Sequence, residues 1–287
     1  MTHRNSIIFI VFNTFLMSLV VIATLYPMIY MFSISFSSNS AVMRNQVIFF
    51  PVDFSTTAYR QVIGHVHFWQ GYLNTVIYTV TGTALSLFMT ILCAYPLSKR
   101  NLLGRKFLLK FMVFTMYFSG GLVPHYLLIV NLGMIDTIWA IIVPGAISVF
   151  LMLVMRTFFM GIPASLEEAA MVDGYGHFQI LLKIILPLSK PVLATITLFT
   201  SVFYWNEWFM ALIYLRSWNR MPVTLFLRNL LMGGRIEGGT GNDWTEVAIN
   251  QTMQAAAVIL IITPIILVYP FVQRYFVQGV MIGSIKE

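Results

Sequence analysis

The sequence predicts an all-α, polytopic membrane protein with six transmembrane helices. Hydrophobic residues make up 59% of its 287 positions and charged residues only 9%, where soluble domains carry about 25% charged residues. The mean hydropathy is +0.83. Six stretches also reach the roughly 20 apolar residues that a helix rising about 1.5 Å per residue needs to cross the hydrocarbon core.

Residues 7–34 form the first span. Its apolar run exceeds the ~7–15 residues of a signal-peptide core and no small-x-small cleavage site follows, so the span is read as retained. Residues 73–98 form the second. The third, 107–131, contains Gly120, Gly121 and Pro124, which predict a kink or an irregular stretch. The fourth, 137–160, carries Pro144, a second expected kink. Spans five and six cover 187–215 and 249–276. Together they predict a single transmembrane domain over 1–287, with a polar loop at 161–190 and two longer segments on the opposite side, 35–72 and 216–248.

The net charge of +7 would suggest nucleic acid in a soluble protein. In a membrane protein it reports topology, and no nucleic-acid partner is expected. With the N-terminus inside, eleven of the 17 basic residues fall on the inner side. Lys99, Arg100, Arg105, Lys106 and Lys110 crowd one short loop, and short loops weigh most in the positive-inside rule. Both termini and the 161–190 loop are therefore expected in the cytoplasm, with the chain multi-pass in the cytoplasmic membrane. The one cysteine, Cys93, can form no internal disulfide and reads as an inert thiol. His65 and His67 have the spacing of a metal pair on an extended strand, but no third ligand is near and no metal site is expected.

The 161–190 loop contains SLEEAAMVDGYGHFQILLKIILPLSKP, unusually polar for this chain. Pro163 and Ser165 read as a helix start, with Ser165 and Glu168 spaced as a capping box. Gly174 sits where a left-handed cap would end that helix. A second short helix, about 177–186, leads to Pro187. From the residues alone this is either a solvated surface loop or a docking element.

The spacing resembles a known motif. Glu168-Ala169-Ala170, three residues, Gly174, nine residues, then Ile184, Leu186 and Pro187 match the EAA loop of ATP-binding-cassette importer permeases. With six spans, the chain resembles the maltose-type carbohydrate permeases nearly throughout, which implies a type I importer permease architecture. The resemblance implies that the loop forms a coupling helix seated in a cleft of a separate ATPase. Glu168 would face a basic residue there, with Glu167 beside it, Ala169 and Ala170 in the helix and Gly174 at the bend. It further implies two ATPase subunits, a second permease subunit, favoured as a paralogous partner, and an external solute-binding protein received by 35–72 and 216–248. The chain itself would be no enzyme and need no cofactor. In keeping with that, it has no G-x-x-x-x-G-K-[ST] loop, and the Gly233–Gly241 run lacks the lysine.

Residues 118–137 (FSGGLVPHYLLIVNLGMIDT) and 274–287 (RYFVQGVMIGSIKE) resemble one branch of these permeases. That branch is associated with oligosaccharides from complex polysaccharides, uronate-containing ones among them. The function implied is import of an oligosaccharide by alternating access, driven by ATP on partner subunits. Alternatives are the same machine for amino acids or peptides, and an ion-coupled secondary transporter. The latter would place acids in matched broken helices, whereas Glu207 stands alone. An intramembrane enzyme would need a cluster of His, Asp or Glu that the spans lack.

Ionisable residues inside spans are functional candidates. Glu207 lies in Trp205-Asn206-Glu207-Trp208, and a similar run recurs in carbohydrate permeases. In one reading Asn206 and Glu207 border the translocation path, while Tyr204 and Trp205 stack on sugar rings. In the other, Glu207 bonds to helix ends near the outer interface and the tryptophans form an aromatic belt. His125 reads as a pore-lining or helix-end residue, and Gly82 with Thr83 as a close helix contact.

Overall fold

The structure, a computed structural model, describes residues 2–232 and 251–284; the Gly233–Gly241 run and the last residues of the 274–287 stretch lie outside them. Among the described residues every regular element is helical. The chain divides into two compact units, residues 1–69 with 227–264, and residues 70–226 with 265–287.

In the first unit, α1 (Thr2–Ser35) runs unbroken through Pro27, and its apolar side chains from Phe9 to Phe32 are mostly exposed, as those of a bilayer-facing helix must be. Hydroxyls fold the turn that follows. Ser37 Oγ donates to Ser33 O (2.7 Å) and accepts from Val52 N (3.0 Å). Ser38 Oγ caps α2 (Asn39–Met43) by accepting from Ala41 N at 3.2 Å. Ile34, Ala41, Val42 and Val47 pack with Ala255, and α3 (Thr57–Ile63) follows. A cavity of about 170 Å³ beside Ser37, Ser38, Asn39 and Gln61 is lined by hydroxyls already committed to these turns.

The second span is α4 (Val66–Ser98), a helix of 33 residues that starts earlier than expected. His65 and His67 therefore sit at a helix start and not on a strand, which corrects the sequence reading. His65 Nδ1 accepts from His67 N (3.3 Å), and burial, with His67 beside it, lowers the His65 pKa. Among the described residues, no three His, Cys, Asp or Glu cluster as a metal site needs.

In the second unit the third to fifth spans are broken. The third is α5 (Arg105–Tyr117) and α6 (Leu122–Asn131), which meet at 111°. Gly121 supplies a φ of +86° at the corner, a conformation costly to any residue with a Cβ. The fourth is a short α7 (Trp139–Ile142), an irregular stretch around Pro144, then α8 (Val149–Met160). Both breaks fall where glycine and proline predicted them. α9 (Ala164–Val172) leaves α8 at 70°. α10 (His177–Ile180) widens into a π-turn at Leu181–Ile185, one turn ahead of Pro187, which has no N–H for the regular ladder. α11 (Leu186–Leu188) then bends by 82° into α12 (Lys190–Trp205).

The fifth span differs from the continuous 187–215 helix expected. α12 stops at Trp205 and α13 (Phe209–Tyr214) restarts beyond it. Past α13, α14 (Val223–Leu231) and α15 (Gln251–Ser284) follow, the latter apolar enough to span over Gln251–Val268. Among the described residues three helices are long and apolar enough to cross a membrane, and the count rises to six if each bent pair is taken as one span. The main core of this unit joins Ala94 of α4, Met152 and Met155 of α8, Ile180 of α10 and Ile196 of α12.

Candidate functional site

The 161–190 loop holds two short helices, as its glycines predict, but the expected capping box does not form. Pro163, extended at ψ 128°, is the residue before the helix, and α9 begins at Ala164 with no side-chain cap. Ser165 thus lies inside the first turn, two places too late to cap it. The far end matches expectation closely. Tyr175 N donates to Ala170 O (2.9 Å) and Gly174 N to Met171 O (3.0 Å), the paired bonds of a Schellman motif. Gly174 has φ +83°, and a Cβ there would meet nothing within 4 Å. The position demands glycine for its backbone angle and not for space.

α9 turns one small residue inward. Ala170 is 4% exposed and packs with Phe159, Ile180 and Leu181, while Leu166, Met171 and Val172 (88%) stay exposed. The two glutamates part company. Glu168 is exposed and makes no hydrogen bond or ion pair among the described residues. Glu167 is 13% exposed and sets both carboxylate oxygens on Lys99 Nζ. The same ammonium lies 4.3 Å over the Tyr95 ring, well placed for a cation–π contact. Tyr95 OH donates to His177 O at 3.3 Å, and Arg156 Nε donates to Leu97 O at 2.9 Å. The C-terminal turn of α4 thereby carries α9 and the start of α10. Sequence reasoning counted Lys99 only as a topological charge and passed over Tyr95.

The second candidate group, residues 204–207, lies at the break in the fifth span. Asn206 Nδ2 donates back to Val202 O (2.8 Å), and Glu207 Oε1 accepts from Met210 N (2.8 Å). The two side chains end one helix and start the next, which is the helix-end role weighed for Glu207. Tyr204 is 2% exposed. Its OH donates to Ile142 O (3.0 Å), a carbonyl set loose by the break before Pro144. A Cβ on Gly82 would stand 2.7–2.8 Å from its ring, and one on Gly145 3.0 Å from its hydroxyl. Tyr204 thus lies inside the packing and presents no free face to a sugar in this conformation. Trp205 is buried edge-on against Tyr72; Asn206 is exposed. Thr83 Oγ1 lies 3.4 Å from Ser201 Oγ, so Gly82 and Thr83 make the close contact expected of them. His125 Nδ1 meets Tyr214 OH at 3.0 Å, bonding another helix and not its own end.

A polar clip missed from the sequence lies at the other side of the fourth span. Asp136, at φ +58°, accepts through Oδ1 from Arg216 N and Ser217 N (both 3.0 Å). Its Oδ2 accepts from Ser217 Oγ (2.5 Å) and lies 3.4 Å from Arg220 Nη1. The Ser217 hydroxyl foremost, with these amides and Arg220, holds its carboxyl down at about 2. The 216–221 strap is tied to α4 as well. Asn74 Nδ2 donates to Asn219 O (2.8 Å) and Tyr78 OH to Arg220 O (2.5 Å).

Similar proteins have been described. The polygalacturonan/rhamnogalacturonan transport system permease protein YtcP of Bacillus subtilis is 38% identical over 288 residues, 99% of each chain. Protein LplC of the same organism is 37% identical over 264 residues, 92% of this chain and 90% of its own. The crystal structure of a bacterial ABC transporter involved in the import of the acidic polysaccharide alginate contains a chain that superposes with a TM-score of 0.87. It is 36% identical, with 96% of this chain and 99% of that one covered. Residues 86–282 match the model of the binding-protein-dependent transport system inner membrane component family, and by that match and these relatives this chain, a membrane permease of the ABC importer type, belongs to that family.

Proposed function

We propose that this permease imports uronate-containing oligosaccharides, driven by two ATPase subunits and fed by an external solute-binding protein. A second permease, paralogous to this one, completes the path, and the chain acts as one transmembrane domain. The substrate class rests on the near full-length likeness to a polygalacturonan/rhamnogalacturonan permease and to the alginate importer. The basic-residue count favours cytoplasmic termini and a cytoplasmic 161–190 loop.

The coupling role is carried by one observation. α9 offers an unpaired carboxylate, Glu168, beside exposed Leu166, Met171 and Val172, a small apolar knob with a charge that suits a basic socket. Ala169 and Ala170 keep the knob narrow, and Gly174 sets its angle to α10. When the ATPases close on ATP, the seated knobs are drawn together and the spans tilt. Of the path candidates, Asn206 at the break in the fifth span is the exposed polar group left to meet a sugar; Glu207 and Trp205 shape that break.

The test is uptake by the full complex in proteoliposomes, comparing oligogalacturonates with maltooligosaccharides. ATP-dependent uptake of the former is expected; uptake without ATP, or of maltooligosaccharides alone, overturns the reading. Glu168→Lys and Gly174→Asp should insert normally yet abolish ATP-driven uptake. Wild-type uptake by both variants refutes the coupling role.

A further inference from the structure

We propose that Glu167 is an internal strut rather than a docking residue: with Lys99 it carries the motion of α9 into the end of α4. The inference rests on the coupling role proposed above.

Besides its apolar packing into the core through Ala170 and Ile180, the loop has two chain connections and two polar connections to the rest of its unit. Both chain connections are bends. α9 leaves α8 at 70°, and the segment from α10 to α11 meets α12 at 82° through a π-turn and prolines. A bend absorbs displacement by changing its angle and transmits little of it. Within the loop, Gly174 separates α9 from α10 with a left-handed residue, so each short helix needs its own attachment.

Each has one polar attachment, and both lead to the same place. Glu167 of α9 grips Lys99, and the His177 carbonyl at the start of α10 takes the Tyr95 hydroxyl. Tyr95 lies in the last turn of α4 and Lys99 is the residue just past its end, and their side chains meet. The Tyr95 ring under the Lys99 ammonium binds the two attachments into one block. From that block α4 runs 33 residues without a break, unlike α8 and α12. Displacement of the knob therefore enters this unbroken helix through its last turn, which holds Pro96, and bypasses the bent chain on either side. Shielding supports this use of the pair, since Glu167 is 13% and Lys99 29% exposed. An acid so covered and so occupied is not offered to a second protein, whereas its neighbour Glu168 is.

The experiment uses the complete transporter in proteoliposomes. It compares Glu167→Gln, Lys99→Met and the charge swap Glu167→Lys with Lys99→Glu. Three quantities are read: ATPase subunits retained on purification, basal ATP hydrolysis, and sugar moved per ATP. The single variants should keep the ATPases and the basal rate. Sugar moved per ATP should fall at least about fivefold, the lower end of ordinary coupling between sites, and the swap should restore it. Tyr95→Phe keeps the ring but loses the bond to His177, so it should lower the same ratio without weakening assembly. Loss of the ATPases from Glu167→Gln would make Glu167 a docking residue and overturn the proposal. So would an unchanged ratio in Glu167→Gln and Tyr95→Phe, leaving the pair a mere fastening. Glu168→Lys serves as the control on the underlying reading. If it alone binds ATPases and couples as wild type, the coupling role fails, whatever Glu167 does.

Discussion

Glu167 and Asp136 are both ion-paired acids beside the fourth span, one in the loop after it and one in the turn before it, yet they hold their neighbours in opposite ways. Asp136 accepts two main-chain amides and a hydroxyl, and Arg220 only adds to them. Glu167 touches its partner through side chains alone. A carboxylate bonded to backbone N–H groups is fixed wherever the backbone is fixed. A side-chain pair can lengthen, rotate or reform as its helices move. The 136–221 region is thus a clip built into the main chain, and the 95–177 region a strut beside two hinges. A molecule that rocks needs one of each: a place that stays put and a place that is pushed.

The largest expected effect separates them by stability. Asp136→Ala removes every acceptor from the Arg216 and Ser217 amides and leaves a Cβ residue at φ +58°. Hydrogen bonds to charged groups are worth about 1.5–3 kcal/mol, and left-handed backbone costs an ordinary residue about 1–2 kcal/mol, so a loss of about 2.5–5 kcal/mol is expected. Asn keeps one acceptor and tolerates the backbone angle, so Asp136→Asn should lose about half as much. Glu167→Gln should cost about 1 kcal/mol or less, as partly solvated side-chain pairs do. Thermal unfolding of the purified complex reads all three. Equal losses at the two acids would erase the distinction between clip and strut.

Next in size is the packing between these regions, where Tyr204 lies against α4. Gly82→Ala places a Cβ 2.7–2.8 Å from ring carbons that are fully enclosed. Overpacking of this kind costs about 1–3 kcal/mol. Tyr204→Phe alone keeps the ring but leaves Ile142 O without its donor, a loss of about 1 kcal/mol. Tyr204→Leu in the Gly82→Ala background should recover part of the Gly82→Ala loss in the same unfolding scans. An additive double variant would mean that the ring can swing away and that the contact is no fixed pivot.

What the sequence showed of this design, and what it hid, follows from the range of the interactions. Corners made by backbone preference were legible. Gly120, Gly121 and Pro144 predicted two breaks, and Gly174 the end of α9, because a missing Cβ or N–H acts locally. The break after Trp205 was not legible. It contains no glycine or proline and is made by two side chains, Asn206 and Glu207, that bond to main chain three and four residues away. The capping box failed because Pro163 takes the cap position two residues before the serine expected to hold it. One of the two readings of 204–207 made Tyr204 a sugar platform, because aromatics beside a lone acid invite it. Its burial depends on two glycines, at 82 and 145, more than 50 residues off in sequence. Lys99 and Asp136 were hidden for the same reason, since their partners lie 68 and about 80 residues away.

The smallest effect is local and pH-driven, and it sets the clip apart by its acid alone. The carboxyl of Asp136 is held at about 2 in the fold, below its ordinary 3.8. A depressed acid favours the folded form while it is ionised, so its contribution is complete above 3.8 and is lost as the pH falls through about 2. Within that window the protonated carboxyl gives up its strongest bonds to Ser217 and the strap loosens while the spans persist. Pepsin, active there, should cut the complex within residues 214–221 increasingly as the pH falls, with little cutting in that segment at 3.8. Asp136→Asn cannot titrate, so its cleavage in this segment should stay level across the window. A wild-type strap equally resistant at both pH values would show that the Asn74 and Tyr78 bonds to the strap hold it without the acid.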